Sequence, residues 1–218
     1  MNIPENISNY IEDRNPELRY ASFDYCYNYY KSFHENDKVE EIASQENLQM
    51  SCLQLGFYLA SWGMFRGSSF LLKRSFKHFE SLIKEISSMG NLLWEIDIDS
   101  YSNKNIDLII YSKDMIRNKL GDPSEYASDT LISKIMLGVF GNVPAFDQNF
   151  CIGFGMNKSL IKNNLLILKD YYKDYRSEID AQRIKTIDFE TGKETDRFYT
   201  KAKIIDMVGF IEGMKAKS

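Results

Sequence analysis

S-D-T-L-I-S-K-I-M-L-G-V-F-G-N-V-P-A-F-D-Q-N-F-C-I-G-F-G, residues 128–155, is the stretch that decides how this chain folds. Leu131, Ile132, Ile135, Met136, Val139 and Phe140 recur at three- and four-residue steps, which puts them on one face of a helix and marks that face for burial. Ser128 suits the cap of such a helix, and Asp129 suits the positive end of its dipole. Gly141 and Asn142 stop it, and Pro144 forbids its continuation. A second apolar helix begins near Asp147. One carboxylate is therefore expected on a short, stiff corner between two buried helices, held charged and aimed by a helix N-terminus.

On the N-terminal side of this unit, Tyr20, Phe23, Tyr27 and Tyr30 give another helical stripe, and packing explains it better than base stacking because its neighbours are acidic. Leu48, Cys52, Leu55, Leu59 and Trp62 predict a central helix. Gly63 and Gly67 interrupt it, and Ser68 or Ser69 would then cap a new helix carrying Phe70, Leu71, Phe79, Leu82, Ile83 and Ile86. Residues 94–111 break the helical pattern and fit either two short strands or an extended loop followed by a helix. Glu95, Asp97 and Asp99 there lack the turn residues of a calcium loop, so a solvated acidic face is expected.

Beyond the corner, residues 158–176 predict a helix with Ile161, Leu165 and Leu168 inward and Lys158, Lys162, Lys169 and Lys173 along a shared face. Residues 186–199 read as a hairpin turning at Thr191 and Gly192. The last helix, from about Lys201 to Met214, carries Ile204, Ile205, Val208 and Ile211 inward. The fold expected is mainly α: a helical bundle over residues 1–218 with a minor β-hairpin or short strands. It is open to division into lobes 1–115 and 116–218 with a cleft between them.

Composition narrows the chemistry. The 218 residues are 44% hydrophobic, enough for a well-buried core, and no apolar run is long enough to span a bilayer. The start M-N-I-P-E-N lacks a signal peptide's basic and hydrophobic regions, so a cytoplasmic location and no membrane partner are expected. Cys26, Cys52 and Cys151 are odd in number, far apart and set among apolar residues, as buried thiols are. With His34 and His78 the only histidines, no metal site and no Ser-His-Asp or Cys-His arrangement can be assembled. No phosphate-binding or dinucleotide glycine pattern is present, and no cofactor is expected. The net charge of -4 is uneven: residues 1–50 hold ten acids and four bases, leaving 21 acids and 23 bases after them, so a local basic face can form on the later part.

Two features carry function. Arg66, Ser68, Ser69, Lys73 and Arg74 gather cations and hydroxyls at a tight R-G-S-S corner, as a phosphate requires, and Gln54, Tyr58 and Trp62 on the preceding helix can line a pocket beside it. The other is F-G-N-V-P-A-F-D-Q-N, Phe140 to Asn149. It resembles the corner F-G-x-x-P-x-x-D-x-N of the helix-hairpin-helix superfamily of DNA glycosylases, in which a long apolar helix leads to a catalytic aspartate.

The resemblance implies a DNA partner, Asp147 as the catalytic carboxylate and Asn149 as its brace. The target base, turned out of its stack, would be received by Gln54, Tyr58 and Trp62, while Arg66, Ser68, Ser69, Lys73 and Arg74 hold the backbone. The glycine-rich hairpin that precedes the helix in that family is replaced here by G-D-P-S-E-Y-A-S. The position of the family's lyase lysine holds Ser128 or Asp129, which argues against Schiff-base chemistry and for a monofunctional hydrolase. The reading from another class is a non-enzymatic all-α interaction protein, of the kind found in bacterial defence or toxin–antitoxin systems, in which Asp147 only caps a helix.

Overall fold

The computed structural model describes residues 1–12, 14–121 and 126–217; the core of the G-D-P-S-E-Y-A-S segment, residues 122–125, lies outside them. Ten α-helices form among the described residues. The first five are α1 (Ile3–Glu12), α2 (Ala21–Glu35), α3 (Leu48–Ser61), α4 (Glu80–Ser88) and α5 (Asn103–Leu120). They are followed by α6 (Asp129–Phe140), α7 (Gln148–Gly153), α8 (Lys162–Asp174), α9 (Arg176–Asp180) and α10 (Lys201–Lys215). The fold is mainly α, with one antiparallel hairpin of β1 (Lys185–Ile187) and β2 (Glu194–Phe198), in which Lys185 lies opposite Phe198. No helix among the described residues is long and apolar enough to cross a membrane.

Helix α6 is the hub. Every residue from Leu131 to Phe140 is buried, so the predicted stripe is only part of a helix enclosed on all sides. The Leu131 amide donates to Ser128 Oγ at 3.3 Å to start it. Gly141, at φ +69°, ends it with its amide shared between the Leu137 and Met136 carbonyls. Helix α3 approaches α6 at Gly138, where a Cβ would come within 2.4 Å of the Tyr58 ring.

The corner from Asn142 to Phe146 is buried; Asn142 Oδ1 has no hydrogen-bond partner among the described residues, but four of the corner's backbone groups are matched. The Asn142 carbonyl accepts from the Tyr101 hydroxyl at 2.7 Å. The Ala145 amide donates to Asp206 Oδ1 at 3.0 Å, and the Phe146 amide donates to Ser133 Oγ at 2.8 Å. The Phe146 carbonyl accepts from Thr130 Oγ1 at 2.8 Å. These bonds deliver the chain to Asp147, the N-cap of α7, in a single orientation.

The short α7 lies backbone to backbone on α10: a Cβ at Gly213 would stand 1.8 Å from the Asn149 carbonyl oxygen, and one at Gly153 would stand 2.2 Å from that of Gly209. Helix α1 is tied to the same helix, with Asn6 Nδ2 donating to Glu212 Oε1 at 2.6 Å. The hairpin is fastened by the buried Asp24 carboxylate, which accepts from Arg14 at 2.9 Å, the Ile187 amide at 3.1 Å and the Tyr199 hydroxyl at 2.5 Å.

Several expectations need correction. The helix predicted to start at Ser68 or Ser69 is broken into two 3-10 turns, Phe70–Lys73 and Phe76–Phe79, before α4. Phe76 packs directly over Gly56, and Leu71 and Phe79 are fully buried, so contact with α3 overrides helical continuity. Of the acidic triplet, Glu95 and Asp99 are exposed as expected, and Asp97 is not. Asp97 caps α10, accepting from the Lys201 amide at 2.7 Å and the Ala202 amide at 2.9 Å, and Asp99 pairs with Lys201 at 3.0 Å. Ile161 precedes α8 and is 39% exposed rather than inward.

Replacing Gly213 by Ala is expected to lower the unfolding free energy by at least about 1–3 kcal/mol, because the new methyl meets rigid backbone of α7 instead of a side chain that can turn away. Urea denaturation of the two proteins measures it.

Candidate functional site

Asp147 opens onto a pocket of about 470 Å³ whose walls come from distant parts of the chain: Tyr10, Arg19, Tyr20, Trp62, Met64 and Arg66 from the first third, and Thr130, Lys134, Gln148, Asn149, Lys158, Phe210 and Lys217 from the last half. The Asp147 side chain is 18% exposed, within reach of a ligand yet largely shielded from bulk water. Its Oδ1 accepts the Phe150 amide at 3.1 Å, as an N-cap does, and its Oδ2 lies 3.6 Å from Lys134 Nζ.

Lys134, on the body of α6 and given no nucleophile's role by the resemblance, is the residue that pairs with Asp147 in this pocket. Its ammonium donates to the Trp62 carbonyl at 2.8 Å and shares the Asp147 charge, so the turn that follows α3 and the cap of α7 are joined beneath the pocket. Burial pushes its pKa below the usual lysine range; Asp147 and Asp206 oppose that shift and Arg66 adds to it. A lysine inside the apolar run L-I-S-K-I-M-L-G-V-F is itself a signal: a charge on an enclosed helix needs a partner, and Asp147 is the first carboxylate beyond the corner.

Under Lys134 the alternation of charge continues. Lys203 Nζ lies 2.8 Å from Asp206 Oδ2 and donates to the Tyr10 hydroxyl at 3.0 Å, inside a cage of the Tyr10, Phe23 and Trp62 rings at 4.5 to 4.8 Å. Burial raises the pKa of Asp206, and Lys203 opposes it. Cys151, close behind Asp147, is no nucleophile, since burial and the Asp147 charge push its thiol up to about 12.

Five cations and one carboxylate line the pocket: Arg19, Arg66, Lys134, Lys158 and Lys217 against Asp147. The side chain of Arg66 folds back over Gly63, whose φ of +74° and whose missing Cβ, which would lie 3.0 Å from Arg66 Nε, allow that turn. Neither the Arg66 nor the Lys158 side chain has a hydrogen bond or an ion pair among the described residues, whereas Lys162, Lys173 and Lys215 are each matched to an acid. Arg19 lies over the Tyr20 ring at 4.9 Å. The pocket is thus a carboxylate at the foot of an aromatic wall under a cationic rim.

Of the residues singled out from the sequence, Trp62, Arg66 and Asn149 join Asp147 in this pocket. Tyr58 lies beneath it, fully buried, with its hydroxyl donating to the Lys134 carbonyl at 3.1 Å. Gln54 is on another face, in a cavity with Asn28, Tyr29 and Arg197. Ser68 and Ser69 line an adjoining cavity, and Ser69 Oγ is taken up by the Leu71 amide at 3.3 Å. Lys73 and Arg74 are exposed and line neither. Asn149 does not brace Asp147; its Oδ1 accepts from Lys217, and Lys134 with the Phe150 amide does the bracing. No cluster of three or more metal-capable side chains occurs among the described residues.

Comparison with family models, with curated proteins and with solved structures finds no significant match to this chain.

The depressed pKa of Lys134 makes stability depend on pH in a definite direction. The unfolded chain keeps that proton up to about 10.5, and the folded protein releases it sooner, so stability rises with pH between the two values. The difference in urea midpoint between the wild type and Lys134→Met is expected to widen in favour of the wild type as the pH climbs through that window. A difference that stays flat to pH 10.5 would mean that the lysine titrates normally.

Proposed function

We propose that the protein is a monofunctional DNA-glycosylase-like hydrolase, with Asp147 as the catalytic carboxylate acting on a base turned out of its stack. The observation that carries the reading is the Asp147–Lys134 pair at the floor of an open pocket that Arg19, Arg66, Lys158 and Lys217 also line. The resemblance of Phe140–Asn149 to the glycosylase corner supports it from the sequence side.

Breaking an N-glycosidic bond builds positive charge on the sugar carbon that held the base. A fixed carboxylate beside that carbon stabilises the charge, and it does so more strongly in a shielded site than in water. The electrons of the broken bond leave with the base. A water molecule oriented by Asp147 then adds its oxygen to the sugar carbon, passing one proton to the carboxylate, from which it returns to the departing base or to solvent. Lys134 is a positioning residue: its second bond, to the Trp62 carbonyl, keeps the carboxylate from swinging away. Trp62, Tyr20 and Phe210 present ring surface to the extruded base, and Arg66, Lys158 and Lys217 meet the phosphates on either side.

One observation favours the other class. Asp147 is a well-formed N-cap of α7, the whole role that it would have in an interaction protein. Asp147→Asn separates the two readings, because asparagine caps nearly as well. Incubated with DNA carrying damaged or modified bases, the wild type is expected to leave abasic sites, scored by strand cleavage in hot alkali, and Asp147→Asn to lower their yield at least about 100-fold. Its unfolding free energy should fall by about 1–3 kcal/mol, because the cap is kept while the buried Lys134 loses its counter-charge, and circular dichroism checks that the variant stays folded. Wild-type protein that leaves every such substrate intact would remove the hydrolase reading.

The rim makes a separate prediction. Electrophoretic binding assays should show affinity for DNA that falls steeply with salt, and Arg66→Ala should weaken binding and reduce the log–log salt slope by about one. An unchanged slope would take Arg66 out of the interface.

A further inference from the structure

Beside the Asp147 pocket lies a second cavity of about 500 Å³, and the two share Met64 and Arg66. Its remaining lining includes Ser68, Ser69, Phe70 and Tyr126, with no carboxylate among the described residues. Arg66, whose guanidinium has no hydrogen bond or ion pair among the described residues, therefore stands between two adjoining hollows as a cation common to both.

Tyr126 is 75% exposed, yet it is backed. The Arg117 guanidinium lies over its ring at 5.2 Å and is itself anchored to Asp114 at 2.8 Å, to Asp129 and to the Ala127 carbonyl at 3.3 Å. A large aromatic ring held in solvent by an anchored cation has one face spent and the other open. Such a platform suits a planar, unpaired heterocycle, and stacking on it is indifferent to which base arrives.

We propose that this second cavity is a subsite for the nucleotide adjacent to the target in a single strand. The neighbouring base stacks on Tyr126, the linking phosphate lies on Arg66, and the Ser68 hydroxyl is placed to meet the sugar or the next phosphate. The substrate class that follows is an unpaired strand of at least two nucleotides, since a base held in a duplex has no free face to offer Tyr126. The inference rests on the reading of the first pocket as a nucleotide site, but it concerns binding and needs no turnover.

The test is calorimetric titration, at low salt, of the full chain with thymidine 5′-monophosphate, the 5′-phosphorylated dithymidine dinucleotide and a single-stranded thymidine hexamer. The wild type is expected to bind the dinucleotide about tenfold or more tighter than the mononucleotide, the gain that one stacked base and one shared phosphate give. Tyr126→Ala should erase most of that gain and leave the mononucleotide affinity unchanged to within about twofold, while Tyr126→Phe should retain the gain. Because Tyr126 is exposed, both variants keep the fold, which circular dichroism checks.

A dinucleotide bound no more tightly than the mononucleotide, or a gain that survives Tyr126→Ala, overturns the subsite; so does a wild type that binds none of the three probes. Abasic-site formation in the presence of either of the first two results would leave the hydrolase reading standing without the subsite. A gain lost in Tyr126→Ala, in a protein that never makes abasic sites, would leave the subsite standing without the hydrolase.

Discussion

The amide of Ala145 is enclosed in the corner between α6 and α7, and its acceptor is the carboxylate of Asp206 on α10. From that bond the arrangement of the site follows step by step. A buried amide must have an acceptor, a buried carboxylate must have a counter-charge, and Lys203 supplies it. The ammonium of Lys203 is in turn sheltered by three aromatic rings, one of them Trp62. Trp62 offers its carbonyl to Lys134, and Lys134 meets Asp147. Buried ion pairs of this kind add little net stability compared with apolar packing of the same volume. What they impose is one geometry, because each charge is costly in any arrangement except the one that satisfies it.

That chain of dependence explains why the C-terminal helix matters more to Asp147 than its neighbours in sequence do. Six residues of helix cannot hold their own shape in water, so α7 takes its position from what it lies on. It lies on α10 through glycines, with no side chain between the two backbones at Gly153 and Gly213. The same helix contributes Phe210 to the pocket, and Lys217 lies just beyond its end. Support and lining thus arrive on one element, and a shift of α10 would move both together.

The local grammar of the corner is readable from sequence because each signal acts within a few residues: Ser128 starts α6, Gly141 ends it in the left-handed region, and Asp147 caps α7. The predominance of helix and the hairpin at Gly192 are readable for the same reason. The pocket is less so. Trp62 and Arg66 can be placed near Asp147 from the resemblance alone, but Tyr10, Phe210 and Lys217 come from the two ends of the chain and carry no local mark. Gln54 and Tyr58 show how a helix misleads. Both precede Trp62 on α3 and its C-cap, yet the rotation of the helix turns Gln54 to another cavity and Tyr58 into the core. Lys134 was legible in principle, as a charge with nowhere to go on an enclosed helix.

A net charge of -4 does not by itself attract a polyanion, but net charge is the wrong measure over the dimensions of a pocket. Screening confines exposed charges to a range of about 8–10 Å, so what a ligand meets is the handful of groups around it. Many of the described acids elsewhere are occupied: Glu80 with Lys77 and Lys84, Glu35 with Arg197, Asp107 with Lys162. Around Asp147 the balance is reversed, with cations on the rim and a carboxylate at the floor. In the proposed reaction the two signs have different work. Rim cations hold phosphates whose charge is the same before and during bond breaking, so they contribute binding that is equal in both states. Asp147 faces a charge that exists only as the bond breaks, and that difference alone accelerates the step. Lys134, beside the carboxylate, is the cation that would oppose the developing positive charge, and burial, which favours its neutral form, weakens that opposition.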